Sequence, residues 1–183
     1  YQYYTDSIQF YKTLLNITPE VVAHDLHPEY LATKYAKELI LPKIGVQHHH
    51  AHIVSVMAEH GLYGPVIGVA FDGTGYGPDG AIWGGEFLIA DCLEFKRVAH
   101  CRYLPLPGGA LAIRQPWRMA AAILAELYGD RIAALPISFA RSLPPEWPTV
   151  LIAAEKRINT PLTSSAGRLF DAAAALLGIR GGP

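Results

Sequence analysis

Two cysteines, two methionines and a net charge of −1 deprive this 183-residue chain of several functional signatures. Cys92 and Cys101 fit neither a CxxC zinc knuckle nor a redox dithiol, and two thiols cannot build a disulfide framework. They are expected to be inert packing residues in a reducing cytoplasm. With 15 Lys+Arg against 16 Asp+Glu, the chain lacks the basic excess of a nucleic-acid surface, so no nucleic-acid partner is expected. No apolar run approaches the roughly 18 residues of a membrane span, which argues against a membrane partner. There is no secretory leader, and the chain opens at Tyr1 without a methionine, as an excised piece would. What is present is a hydrophobic content of 51%, ample for a core and incompatible with disorder.

The pattern along the chain alternates helices and strands. Asp6 or Ser7 is expected to cap a first helix bearing Ile8, Tyr11, Leu14 and Leu15, which stops before Pro19. A short buried strand over Glu20 to His24 leads to the polar tract His24-Asp25-Leu26-His27-Pro28. A second helix is expected from Pro28, with Leu31, Tyr35 and Leu39 on one stripe. A brief strand over Ile44 to Gln47 follows, then a histidine-led helix closed by Gly61. Val66 to Phe71 reads as a buried central strand, with Ala81 to Ala90 and Phe95 to Tyr103 completing an antiparallel meander. The glycine-rich stretch from Gly73 to Gly80 is expected to be an irregular functional loop, within which Asp79 has no assigned role. After the LPLPGG break, helices are expected near Arg118 to Leu127, up to Asn159, and from Ser165 to Leu177. The expected organisation is 1–62 with the histidine cluster, 63–105 as the β-meander with its phosphate loop, and 106–183 as a mainly helical part.

Two clusters carry chemistry. In QHHHAH, His48 and His52 stand at i and i+4, which on a helix stacks two imidazoles one turn apart. Such pairs hold transition metals, but two imidazoles leave an ion short of donors and require a carboxylate from elsewhere. His49 with His52 is the fallback pair, and His50 points to another side. Asp72 is the candidate third ligand, because a carboxylate ending an apolar strand is costly unless a cation or donors compensate it. Gly73, Thr74, Gly75 and Gly77 then form a collar able to present backbone N–H groups to an anion. In SSAGRLFD, Ser165 reads as an N-cap, and Asp171 either faces solvent or holds a ribose or substrate hydroxyl.

The segments QHHHAHIVSVMAEHG, FDGTGYGPDGAIWGGEFL, RQPWRMA, TSSAGRLFDAAAALLG and the upstream VAHDLHPEYLATKYA together resemble the HypF carbamoyltransferases of nickel–iron hydrogenase maturation. The resemblance covers nearly the whole chain, in matching order. It implies an α/β actin/Hsp70-like (ribonuclease-H-like) nucleotide-binding fold: a first lobe with helical insertions, the C-terminal half of the fold lying outside this sequence. That domain is similar to those of tRNA threonylcarbamoyltransferases and antibiotic O-carbamoyltransferases. The three consecutive histidines, Asp72 and the HDLHPEY tract favour the HypF branch.

The resemblance also implies roles. His48, His52 and Asp72 would bind a divalent metal, iron or zinc. Gly73, Thr74 and Gly75 would face the acyl phosphate of carbamoyl-adenylate, itself made from carbamoyl phosphate and ATP. Asp171 and Gly182 would hold nucleotide sugar and substrate. The implied activity is transfer of the carbamoyl group to the C-terminal cysteine thiol of a HypE-like partner. The tracts His24 to Tyr30 and Arg114 to Arg118 carry the likeness without an assigned role. The alternatives are transfer to a small-molecule hydroxyl, or a non-catalytic module that binds metal or nucleotide.

Overall fold

Residues 1–179, described by a computed structural model, divide into two units at the His48–His49 peptide. In the first, β1 (Val22–Asp25), α2 (Leu31–Glu38) and β2 (Lys43–Val46) form a parallel strand–helix–strand unit, preceded by α1 (Gln2–Leu14). The cap expected at Asp6 or Ser7 is corrected. Asp6 accepts from Gln2 Nε2 and Ser7 Oγ donates to Tyr3 O, so both side chains bond within a helix that has already begun. Helix α2 starts later than Pro28 and buries Thr33 and Ala36, while Leu31 of the expected stripe is exposed. The strands run in register from Val22↔Lys43 to Asp25↔Val46, so their C-terminal ends lie side by side. Ligand-facing residues collect at such ends in parallel α/β units.

The second unit is built on α3 (His48–Glu59) and the antiparallel strands β3 (Val66–Tyr76), β4 (Ile82–Ala90) and β5 (Phe95–His100). Gly61, at φ 63°, ends α3 region as expected. The meander is as expected, but the first strand is not a buried central one. Among the described residues β3 pairs only with β4, and Ile67, Val69 and Phe71 are exposed. The opposite face carries Gly68, Ala70 and Asp72, alternating with period two. A Cβ on Gly68 would stand 2.2 Å from Ile53 Cδ1, so α3 packs on β3 at a distance only glycine permits.

Strand β3 also continues past Asp72 through Gly73-Thr74-Gly75, the first part of the stretch expected to be an irregular loop. The ladder slips between Phe71 and Gly75, making a bulge, and the turn proper is confined to Gly77–Gly80, where Gly80 N donates to Gly77 O.

The short strands β6 (Leu104–Pro105) and β7 (Leu162–Thr163) extend the sheet, with β7 joining β4 at Ile82↔Thr163. Between them lie α4 (Ala110–Arg114), α5 (Trp117–Tyr128), a 3₁₀ turn (Gly129–Ala134), α6 (Ser138–Arg141) and α7 (Trp147–Glu155). Then comes α8 (Ala166–Leu176). The alanine-rich face of α5 is wholly buried with Leu106, Ile132, Phe139 and Ala172, a core separate from the one under α3.

Behind the bulge lies a buried ionic network. Glu86 on β4 is fully buried, and its Oε2 accepts from Arg97 Nε at 2.6 Å. Its Oε1 accepts from the backbone N–H of Gly84 and Gly85 and from Ser164 Oγ. Arg97 also lies over the Trp83 ring at 3.9 Å and donates to Tyr103 Oη. Asp79 completes the network, accepting from Trp83 Nε1, Ala81 N and Tyr103 Oη. Burial pushes the Glu86 carboxyl up, but hydrogen bonds from Arg97, Ser164, Gly84 and Gly85 together outweigh it and hold the group below its ordinary 4.5.

A depressed carboxyl contributes stability above its unfolded pKa and loses it as pH falls through the folded value. Denaturant melts should therefore show stability declining with acidification below pH about 4.5, and less steeply in Glu86→Gln. At pH 7, Glu86→Ala removes the closest charge partner of the half-buried Arg97, which keeps Tyr103 and the more distant Asp79, and should cost about 3 kcal/mol. Equal melts for Glu86→Ala and the parent would remove this network from the stability of the sheet.

Candidate metal centre

Helix α3 carries a buried stripe of His49, Ile53 and Met57, four residues apart, against the Gly68–Ala70–Asp72 face of β3. That packing brings the first turn of α3 to the end of the strand. His52 Nε2 lies 3.3 Å from Asp72 Oδ2, and His49 Nε2 lies 3.9 Å from the same oxygen. One ligand atom from each of His48, His52 and Asp72 falls within 4.8 Å of the others. The other Asp72 oxygen, Oδ1, accepts from Gly73 N at 2.6 Å, leaving Oδ2 on the imidazole side.

His50 goes elsewhere: it is buried, its Nε2 is 2.7 Å from Asp91 O, and it packs on Phe95. It braces the β4–β5 hairpin, in line with the orientation read from the helix period. His49 is wholly buried beside Trp83, and its Nε2 also faces Asp72, so the fallback pair lies at the same carboxylate as the i, i+4 pair.

The donor set fits a transition metal. Two donors on a tetrahedral ion with bonds of about 2.1 Å lie about 3.4 Å apart; His52 with Asp72 shows 3.3 Å, whereas the three-residue set spreads to 4.8 Å and would have to draw in around an ion. Two nitrogens and one carboxylate oxygen suit iron or zinc and leave coordination positions open.

The bulge beside Asp72 is clamped from β7 and α8. Ser165 Oγ lies 2.7 Å from Asp72 O and 2.9 Å from Gly73 O, sharing its one proton between them, and accepts from Arg168 N as the N-cap of α8. The cap is as expected; its second task, holding two strand carbonyls, has no sequence signature. A Cβ on Gly167 would stand 2.8 Å from Gly73 Cα, and one on Gly84 would stand 2.6 Å from Asp72 O. Both glycines therefore let the α8 N-terminus and β4 close on the bulge. An eleven-residue helix presenting its N-terminus here favours negative charge.

Arg168 is a residue that sequence reasoning passed over. It is buried, its Nη2 sits 2.8 Å from Asp171 Oδ2, and that nitrogen would be 3.9 Å from a Gly73 Cβ. Asp171 is therefore not on an open helix face: its side chain is one-fifth exposed and paired with this guanidinium. Gly182 lies outside the described residues.

The tract from His24 to Tyr30 also acquires structure. Asp25 Oδ1 accepts from His27 N, Asp25 Oδ2 lies 2.8 Å from His48 Nδ1, and the His27 ring stacks on Tyr30 at 4.1 Å.

Comparison with known proteins is consistent along the chain. Residues 1–59 match a family model described as the HypF Kae1-like domain, and residues 68–182 match the carbamoyltransferase Kae1-like domain, second subdomain. The carbamoyltransferase HypF2 of Cupriavidus necator is 49% identical over 180 residues, covering 96% of this chain and 22% of that protein. A probable carbamoyltransferase HypF of Methanocaldococcus jannaschii is 36% identical over 183 residues, covering 97% and 24%. A full-length HypF solved in a phosphate- and nucleotide-bound form superposes with TM-score 0.91 at 49% identity, covering 100% of this chain and 28% of that one. T. kodakarensis HypF gives 0.85 at 38% identity, covering 100% and 25%. The chain thus spans about a quarter of the length of these relatives.

Ser165→Ala removes a cap and the clamp on two carbonyls and should cost about 1–2 kcal/mol. Gly167→Ala should cost about 1–3 kcal/mol by forcing α8 off the bulge. Thermal or urea unfolding of both variants checks this; a Gly167→Ala protein as stable as its parent would mean that α8 does not press on Gly73.

Proposed function

The chain belongs to the HypF carbamoyltransferases, as part of their Kae1-like domain, and on that footing we propose that it contributes the metal-binding and phosphate-facing side of a carbamoyl-transfer site. The observation that carries the reading is the meeting of His52 and Asp72 at the foot of a clamped, glycine-rich bulge, with His48 one helical turn away.

In this reading His48, His52 and Asp72 hold iron or zinc. When bound there, such an ion would supply Lewis acidity toward the carbonyl or phosphate of the substrate. The chain's own residues do the positioning. Gly73, Thr74 and Gly75 present backbone to the acyl phosphate of carbamoyl-adenylate, with no Cβ at Gly73 or Gly75 to keep it away. The α8 N-terminus and the buried Arg168 guanidinium favour the negative charge that accumulates on the departing phosphate. Asp171, steadied by Arg168, accepts from a hydroxyl of the nucleotide sugar. An open groove of about 570 Å³ is lined by His52, Ile53, Val69 and Asp72 among others, a volume within the range of small-molecule sites.

The acceptor is the C-terminal cysteine thiolate of a HypE-like partner. Its sulfur forms a bond to the carbamoyl carbon as the carbon–oxygen bond to AMP breaks. AMP is a good leaving group and a thiol of pKa about 8.5 needs little activation, so no general base is required of this chain. The family role implies cyanide-ligand synthesis in hydrogenase maturation. Two free cysteines suit the cytoplasm, and no helix among the described residues is long and apolar enough to cross a membrane.

The test is made in the intact parent protein. His48→Ala/His52→Ala and Asp72→Ala should each lower metal content from about one ion per chain toward zero. Both should also slow carbamoyl-adenylate-dependent AMP release to a thiol acceptor by about 100-fold or more. Unchanged metal content and transfer would remove these residues from the site. Transfer to a small hydroxylated acceptor but not to the thiol would replace the acceptor class with that of an O-carbamoyltransferase.

A further inference from the structure

We propose that Asp25 is a positioning residue for the metal centre: it fixes the tautomer and orientation of His48, so that Nε2 is the nitrogen offered to the cation. The proposal rests on the reading of His48 as a ligand and extends it to a residue outside the ligand set.

Asp25 is the last residue of β1, and its register partner Val46 is the last of β2, two residues before His48. The parallel pairing therefore delivers the Asp25 carboxylate to the start of α3. Its Oδ2 lies 2.8 Å from His48 Nδ1, with both side chains mostly shielded from solvent. An ionised carboxylate only accepts hydrogen bonds, so the proton of the neutral imidazole sits on Nδ1 and Nε2 carries the lone pair. Metal-ligating histidines commonly donate their second ring N–H to a carboxylate in this way, which holds the ring and raises ligand basicity.

The carboxylate is itself held. Its Oδ1 accepts from His27 N at 2.7 Å, while the Asp25 carbonyl accepts from Thr33 Oγ1 and lies 2.7 Å from His24 Nδ1. Thr33 is fully buried on α2, so that anchor belongs to the packed part of the unit. Within the tract, His27 is fixed in turn by its stack on Tyr30 and by Glu29 N donating to its Nδ1. The tract His24 to Tyr30 thus becomes a bracket around one carboxylate, and the carboxylate a bracket for one imidazole.

This arrangement makes one isosteric substitution diagnostic. In Asp25→Asn the amide oxygen must face His27 N–H, a donor that cannot change role. The amide NH₂ then faces His48 Nδ1, which accepts only in the tautomer whose Nε2 carries the proton. Shape and turn survive, and the nitrogen offered to the metal is capped by hydrogen.

The experiment measures Zn²⁺ affinity of the intact parent protein by competition with a chromogenic chelator. The proteins are the parent, Asp25→Asn, His48→Ala and the double variant, with melting curves of the metal-free forms alongside. The expected results are metal-free melting unchanged in Asp25→Asn, Zn²⁺ affinity lowered about 10–100-fold, and no further loss when Asp25→Asn is added to His48→Ala. Asp25→Glu, which keeps the acceptor but lengthens the arm, should retain part of the affinity and covers the case in which the asparagine variant fails to fold. A loss on Asp25→Asn of equal size with or without His48 would overturn the proposal, because the carboxylate would then act by charge or by general structure. Parental affinity in Asp25→Asn alongside weakened binding in His48→Ala would overturn it too, leaving the ligand set intact. Parental affinity in His48→Ala would instead remove the ligand assignment on which the proposal stands.

Discussion

The close approach of α3 to β3 is the constraint on which the rest of the second unit depends. Gly68 and Ala70 offer the helix almost no side chain, so Ile53 and Met57 settle directly on the strand. Two residues further on, the same face presents Asp72 to His52. A larger residue at 68 would lift the helix and draw the imidazole away from the carboxylate, although position 68 touches no ligand. The geometry of the site is inherited from a packing decision made one helical turn below it.

A second layer works from the other side. The β7–α8 turn delivers consecutive serines with different jobs: Ser164 closes the buried Glu86–Arg97 network and Ser165 holds the carbonyls of Asp72 and Gly73. The cost of burying the Glu86 charge is met by Arg97 and three other donors, so the network can be dry without being strained. The bulge between Phe71 and Gly75 is thus backed by packed, hydrogen-bonded structure, and its carbonyls and carboxylate have fixed directions before any ligand arrives.

Much of this was legible in the chain, for identifiable reasons. The placement of His48 and His52 one turn apart on a helix was readable because helix periodicity is a strong local rule, and the meander was readable from β-branched runs with short connections. The character of β3 was misread because VIGVAF looks uniformly apolar; the informative signal was residue size, small at Gly68 and Ala70 and large at Ile67, Val69 and Phe71. The glycines after Asp72 suggested a loop, yet glycine also serves in bulges where another backbone approaches closely, as α8 does here. Asp25, Glu86 and Arg168 could not be read locally at all. Asp25 and Glu86 matter through partners many positions away, and the approach of Arg168 to Gly73 follows from helix docking, in addition to its local pairing with Asp171.

The outer face of the sheet has a practical corollary. Ile67, Val69 and Phe71 lie along a strand whose second ladder edge is unpaired among the described residues, and Ile89 and Val98 continue the apolar surface across β4 and β5. An open ladder flanked by branched and aromatic side chains is a template on which like strands add. Handled as an isolated polypeptide, this stretch is a colloidal hazard. A charged residue at position 67 or 69 would act as a gatekeeper against self-association and leave the inward-facing carboxylate untouched.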